Sequence, residues 1–291
     1  MINFKNTRLV GHRGARSEVL ENTLSGFQHA QRLQPRGLAG IEFDVQLTSD
    51  GHLVIFHDET LQRLCGLPSR IDQLNLIEIQ RHLQSGHQII TLDKLSQALS
   101  ASADRPSVLN SSASKLLSTA QKRAQNNLLG LPNFPSFTET TALKLPANTL
   151  TQFTHIELEI KTHNRTDYPK LIKALKRYLI DSPLAGLPIV LTSFDVQLLA
   201  QLQRDKLLTH TPRGLLARTP ELLVTAPNTA LQLGCTQLGI YYLLLSQSVI
   251  QHCHRYGLPV SAWTVNDIEV IKQLVKWQVD VIITDIPSQL L

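Results

Sequence analysis

Glu42 and Asp44 stand two residues apart in Ile41-Glu42-Phe43-Asp44-Val45-Gln46-Leu47, a stretch that alternates apolar and polar residues. A β-strand turns successive side chains to opposite faces, so both carboxylates share one face while Ile41, Phe43 and Val45 take the other. Thr48-Ser49-Asp50-Gly51 then carries an Asp-Gly turn signal, and His52-Leu53-Val54-Ile55-Phe56 reads as the returning arm of a hairpin. A turn centred near Asp50 sets His57 opposite Phe43 and Asp44, and cross-strand neighbours lie about 5 Å apart. One short hairpin thus gathers two carboxylates and an imidazole. Alternating charge fits a solvated strand face equally well, so the assignment rests on what else the chain delivers to the same place.

Two further segments carry chemistry. Leu9-Val10-Gly11 reads as a short buried strand ending on His12-Arg13-Gly14, where the glycine lets the backbone turn sharply. A guanidinium beside an imidazole is a poor core pair and a good phosphate-binding one. His155-Ile156-Glu157-Leu158-Glu159-Ile160-Lys161 is a second alternating strand, and acidic residues flanked by Ile and Leu are costly without a partner. Three carboxylates, Glu42, Asp44 and Glu159, without cysteine or imidazole-rich spacing suit one hard divalent cation, Mg2+ or Ca2+. Arg13 and Lys161 add fixed positive charge, a clamp suited to a phosphoryl group. His12 and His57, with a reference pKa of about 6.5, can serve as base and acid near neutral pH.

These residues converge only if the elements carrying them do. Glu21-Asn22-Thr23 opens an amphipathic helix through about Leu33, with Asn22 as the expected cap. A further helix is expected up to about Leu99, then strand and helix alternate: helices over Asp167 to Ile180 and Asp195 to Leu207, from Pro220, and near Ser246 to Tyr256 and Asn266 to Trp277. Between them stand strands at Ile189 to Phe194, Gly214 to Ala217, Gln237 to Ile240, Leu258 to Thr264 and Val279 to Asp285. With the Leu53 to Phe56 arm as an excursion, eight strands remain, each but the last leading into helical sequence. That is the pattern of a (β/α)8 TIM barrel, an α/β fold whose strands end at one rim where active sites are built. His12, Arg13, Glu42, Asp44, Glu159, Lys161, Ser193, Trp263 and Asp285 all map to such ends. An open doubly wound sheet is the alternative, but no glycine-rich phosphate turn follows the first strand. The chain reads as one domain over 1–291, with residues 100–152 a polar, loop-rich insertion broken by Pro106, Pro132, Pro135 and Pro146 and holding one helix near Ser114 to Asn126. Its composition places it outside the barrel core.

The bulk properties narrow the partners. The 291 residues, 42% hydrophobic, suffice for one large α/β barrel, which takes about 250 residues. A net charge of +5 without a long basic run fits an anionic small molecule and argues against nucleic acid. No stretch approaches the roughly 18 apolar residues of a membrane span, and no export signal is read at Met1-Ile2-Asn3-Phe4-Lys5. Cys65, Cys235 and Cys253, scattered and odd in number, suit reduced thiols, so a soluble cytoplasmic protein is expected. The oligomeric state stays open.

At its polar strand ends the sequence resembles the glycerophosphodiester phosphodiesterase family. The resemblance rests on His12-Arg13-Gly14, Glu21-Asn22-Thr23, Glu42-x-Asp44 with Thr48-x-Asp50-Gly51, His57-Asp58, Glu159-x-Lys161, Ser193-Phe194, Trp263-Thr264-Val265-Asn266 and Thr284-Asp285-x-Pro287. It spans most of the chain except residues 100–152. It implies a (β/α)8 barrel that hydrolyses deacylated phospholipids to sn-glycerol 3-phosphate and an alcohol, using one divalent cation. Carried over by motif, Glu42, Asp44 and Glu159 are the metal ligands, His12 and His57 the catalytic acid-base pair, and Arg13 with Lys161 the phosphate contacts. The chain departs from the family's pattern at Leu20 and Ile90, where prolines are common, and at Glu157, where a neutral polar residue is common and a further negative charge is expected. Trp263 reads equally as core or as an apolar, substrate-binding wall against the glycerol carbons; Phe194 reads as core, and Asp58 and Asp285 as caps or orienting groups. Rival functions are a phospholipase D-like lyase on the same fold, a metal-dependent amidohydrolase, and a barrel that binds a glycerophosphodiester without turnover. The amidohydrolase would need a His-x-His pair at the first strand end, where His12 is followed by Arg13-Gly14.

Overall fold

The computed structural model describes residues 2–4, 6–83, 89–103 and 150–291, so the expected insertion and its helix near Ser114 to Asn126 lie almost wholly outside the described residues. The strands in chain order are β1 (Arg8–His12), β2 (Leu38–Leu47), β3 (Leu53–Ile55), β4 (Ile90–Thr91), β5 (His155–Ile160), β6 (Ile189–Ser193), β7 (Arg213–Ala217), β8 (Gln237–Tyr241), β9 (Val260–Trp263) and β10 (Val281–Thr284). Eight of them, β1-β2-β5-β6-β7-β8-β9-β10, form a parallel ring, and β10 closes it against β1. Parallel neighbours need a crossover. Helices Leu24–Leu33, Leu92–Ala103, Tyr168–Leu179, Val196–Arg204, Pro220–Gln232, Gln247–Arg255, Ile268–Lys276 and Pro287–Leu290 supply one after each ring strand. The expected (β/α)8 barrel is the observed fold.

Amphipathic spacing explains how the helices sit. Leu24–Leu33 buries Gly26, Phe27, Ala30 and Leu33, three or four residues apart, and Phe27 meets Phe43 of β2 with ring centroids 5.4 Å apart. Ile41, Phe43 and Val45 all join this outer core, and each fully buried side chain of this kind contributes about 2 kcal/mol. Glu42 and Asp44 thereby face the barrel interior. The helix cap differs from expectation: Thr23, in extended conformation, accepts the Gly26 N–H at 3.1 Å, whereas Asn22 adopts a left-handed φ of 55° and turns away. The hydroxyl of the later residue does the capping, which releases the Asn22 amide for a distant partner.

The hairpin forms as its alternation requires. β3 runs antiparallel to the end of β2, with Val45 opposite Ile55 and Leu47 opposite Leu53, and the Phe56 N–H donates to the Asp44 carbonyl at 3.1 Å. Gly51 takes φ +91° in the turn, a conformation costly for any residue with a Cβ. β4 pairs with β3, so the excursion becomes a small antiparallel flap. Val54, Phe56, Leu61, Cys65, Ile71, Ile79 and Ile89 form a second core beneath it. Phe56 on one side and Leu61 with Cys65 on the other anchor His57, Asp58 and the short helix Gln62–Cys65 to that core.

Candidate active site

Strand register sets the floor of the site. Glu42 lies beside Glu157 and Asp44 beside Glu159 across the β2–β5 pair, while His12 lies beside Glu42 across β1–β2. Oxygens of Glu42, Asp44 and Glu159 all lie within 4.8 Å of one another. The cluster fits a hard divalent cation: its donors are all oxygen, and Glu42 Oε1 is buried without a hydrogen-bond partner among the described residues. Lys161 reaches in from the end of β5 and pairs with Asp44 at 3.0 Å and with Glu159. Arg13, buried and at a left-handed φ of 51°, donates its backbone N–H to Glu42 at 3.1 Å, and its Nε lies 3.4 Å from Asp44.

The two histidines flank this cluster, each fixed through the same ring nitrogen. His12 Nδ1 lies 2.6 Å from Asp285 at the end of β10, and His57 Nδ1 lies 2.7 Å from Asp58. A carboxylate accepts from each Nδ1, which leaves the Nε2 of each ring as the nitrogen that can take or give a proton. His12 Nε2 points at the cluster, 3.8 Å from Glu42. Asp285 is itself oriented by the Asn266 amide at 2.8 Å. The orienting role expected of Asp58 and Asp285 is the one the geometry gives them.

Burial and crowding then set the charges. Burial pushes the Glu42 carboxyl well above the usual range, and the negative charges of Asp44 and Glu159 push it further. Glu159 is raised by burial and by Asp44, against the pull of Lys161. Burial also works against Asp44, but Lys161, Arg13, His57 and the Asn22 amide together hold its carboxyl well below the usual range. Lys161 is held firmly charged, since the carboxylates outweigh its burial. His12 is lowered by burial and by the Arg13 charge against the raising contact of Asp285. His57 is lowered by burial, with Lys161 and Arg13 opposing Asp44 and Asp58.

Every residue singled out for chemistry in the sequence reaches this rim, and some neighbours were not foreseen. Glu157 lies beside Glu42 on the neighbouring strand and lines the same small cavity as His12, Glu42 and Glu159. It is buried, and His155 Nε2 lies 3.0 Å from it. Ser193 bonds the Ile160 carbonyl and the Asp195 N–H, a structural task. Trp263 lies half-buried at the end of β9, edge-on to Phe194 at 5.5 Å and 5.6 Å from Tyr241, so Phe194 belongs to an aromatic wall rather than to the core. Asn22 donates to Asp44 at 3.0 Å, and Glu21 accepts from Arg13 at 2.8 Å. The Glu21-Asn22-Thr23 triplet did signal itself, but as a helix start. A small cavity of about 30 Å3 lies between His12, Glu42, Glu159 and Trp263, and a cleft of about 250 Å3 opens on the far side of Lys161.

Residues 12–289 match the glycerophosphoryl diester phosphodiesterase family. The chain belongs to that family. It is therefore an enzyme of the phosphoric diester hydrolase class. A glycerophosphodiester phosphodiesterase of Caldanaerobacter subterraneus subsp. tengcongensis is 28% identical over 98% of this chain and 96% of its own length. Two solved structures share the fold. The glycerophosphodiester phosphodiesterase of Thermotoga maritima superposes with a TM-score of 0.63 at 21% identity, covering 98% of this chain and 96% of its own. An Oleispira antarctica phosphodiesterase, solved in complex with the product sn-glycerol-3-phosphate, superposes with a TM-score of 0.69 at 20% identity, covering 97% and 94%. Among the described residues of this family member no helix is long and apolar enough to cross a membrane, and its three cysteines are buried thiols rather than disulfide partners.

Proposed function

We propose that the protein hydrolyses glycerophosphodiesters to sn-glycerol 3-phosphate and an alcohol, with Glu42, Asp44 and Glu159 holding one divalent cation and His12 and His57 acting as base and acid. The observation that carries this reading is the pair of imidazoles, each tied at Nδ1 to its own carboxylate, flanking three clustered carboxylates and two cationic side chains, Arg13 buried and Lys161 half-buried. When bound, the cation supplies positive charge to the phosphoryl oxygens. Arg13 and Lys161 provide charge beside it that no proton loss can remove near neutral pH.

One histidine takes the proton of the glycerol 2-hydroxyl at Nε2 as that oxygen bonds to phosphorus. The bond from phosphorus to the alcohol oxygen breaks, and the departing oxygen takes a proton from the other histidine. Water then opens the resulting cyclic phosphate with the two roles exchanged, leaving both rings as they began. The cleft beyond Lys161, lined by Gln46, Thr48, His163, Arg165, Thr166 and Lys170, offers the departing alcohol a polar site. The Trp263 wall faces the glycerol carbons.

Incubation with glycerophosphocholine and Mg2+ or Ca2+ is expected to release sn-glycerol 3-phosphate. No product with either ion would overturn the reading, and a cyclic phosphate accumulating as the final product would make the protein a lyase. Trp263→Leu keeps an apolar surface but loses the ring's area, so it is expected to raise KM about 3- to 10-fold with kcat little changed. An unchanged KM would return Trp263 to a packing role.

A further inference from the structure

The short helix Gln62–Cys65 places one side chain where the barrel and the flap meet. Leu61 and Cys65, four residues apart, are buried in the second core, so Arg63 between them projects the other way, towards the rim. Its guanidinium makes four hydrogen bonds to two carboxylates. Nε and Nη2 donate to the two oxygens of Asp58 at 2.6 and 3.1 Å, and Nη1 and Nη2 donate to those of Glu21 at 3.0 and 2.7 Å. Asp58 is the carboxylate that orients His57, and Glu21 is the one that holds Arg13. A continuous path therefore runs His57–Asp58–Arg63–Glu21–Arg13–Asp44, joining the flap to the first and second barrel strands.

We propose that Arg63 is a positioning residue that locks the acid-base histidine His57 and the phosphate-facing Arg13 into one unit. Among the described residues the hydrogen bonds of the Arg63 guanidinium go to the two orienting carboxylates and not to the carboxylate cluster or a histidine. Exposed ion pairs usually count for little, and the Arg63 side chain is 41% exposed. Here the geometry is fork to carboxylate on both sides, and Glu21 is only 7% exposed. Removing the guanidinium leaves Glu21 shared between Arg13 and Arg16, with Arg16 at 3.5 Å, and leaves Asp58 with His57 alone. His57 can then swing with its carboxylate, while Arg13 is drawn towards Glu21 and away from a bound phosphoryl group. A lysine can reach one carboxylate but not fork across two.

The inference rests on the reading of His57 and Arg13 above, so its test has one arm that needs no turnover. In wild-type protein the His57 Nδ1–H, held against Asp58, should give a downfield imidazole proton resonance that disappears in His57→Ala. In Arg63→Ala that resonance should broaden or move although the fold is retained; an unchanged resonance overturns the proposal even if the wild type proves inactive. With the active enzyme, Arg63→Ala is expected to lower kcat about 10- to 100-fold and raise KM several-fold. Arg63→Lys should recover part of the loss. Millimolar guanidinium, which the exposed site admits, should restore Arg63→Ala but not Asp58→Asn/Arg63→Ala. The double variant should lose less than the product of its single losses; strict multiplicativity, or wild-type kcat and KM in Arg63→Ala, overturns the proposal. Should Arg63→Ala unfold, Arg63→Lys, Asp58→Asn and their combination provide the same cycle.

Discussion

Removing divalent cations is expected to abolish phosphodiester hydrolysis, and adding Mg2+ or Ca2+ to restore it. Glu42→Gln should do the same without reversal, because it removes one of three clustered charges while an amide oxygen can still accept the Arg13 N–H that Glu42 holds at 3.1 Å. Stability separates this from a folding defect. In the cation-free protein burial and the neighbouring charges raise Glu42, and burial raises Glu159, above the ordinary carboxyl range. A carboxyl raised on folding contributes stability that is present below its unfolded value of about 4.3 and is lost as pH rises through the folded value. Cation and protons compete for the same oxygens, so the thermal stabilisation by saturating cation should grow as pH rises through that window towards neutrality. At a hundred times its Kd a cation adds about 2.7 kcal/mol. Glu42→Gln should lose most of that increment while unfolding, in excess chelator, at or above the wild-type temperature. Full activity in excess chelator, or an undiminished cation-dependent rise in Tm in Glu42→Gln, would remove the cluster from the chemistry.

Much of this site was legible because it is written in short-range periodicities. Strand alternation alone turns Glu42 and Asp44 inward, and a turn at Asp50-Gly51 fixes the register that brings Phe56 beside Asp44 and His57 over the rim. Counting strand-helix pairs then closes the ring. What escaped was tertiary. Glu21-Asn22-Thr23 looks like a helix start and is one, yet two of its three side chains serve residues far along the chain: Asn22 serves Asp44 and Glu21 serves Arg63, 42 positions away. No period in the sequence announces Arg63, because its partners come from another strand end and from the flap. The second core was less legible, since its members from Leu61 to Ile79 are scattered through largely polar sequence. The further charge expected at Glu157 takes no account of its neighbour. His155, two residues earlier on the same strand face, is its partner.

Replacing either histidine is expected to lower turnover by about 10² or more, since each is assigned one proton transfer in each half of the reaction. Neither belongs to the carboxylate cluster, so cation binding by His12→Ala and His57→Ala should stay close to wild type. The double variant should fall by much less than the product of the single losses, because a base without its acid has little left to contribute. The pH profile carries the same assignment. Burial lowers both imidazoles, and the Arg13 charge acts on each in the same direction, so the bell of kcat/KM should lie on the acid side of the ordinary imidazole value of about 6.5. Neutralising Arg13, as in Arg13→Met, should move both limbs upward. The two histidines can then be told apart by the leaving group. A glycerophosphodiester of nitrophenol departs without needing a proton, so the first step should survive loss of the acid but not of the base. Whichever alanine variant releases the first equivalent of nitrophenolate, in a burst, at close to the wild-type rate, yet fails on glycerophosphocholine, lacks the first-step acid. Near-normal turnover of glycerophosphocholine by either single variant, with its fold verified by circular dichroism, would strike that histidine from the mechanism.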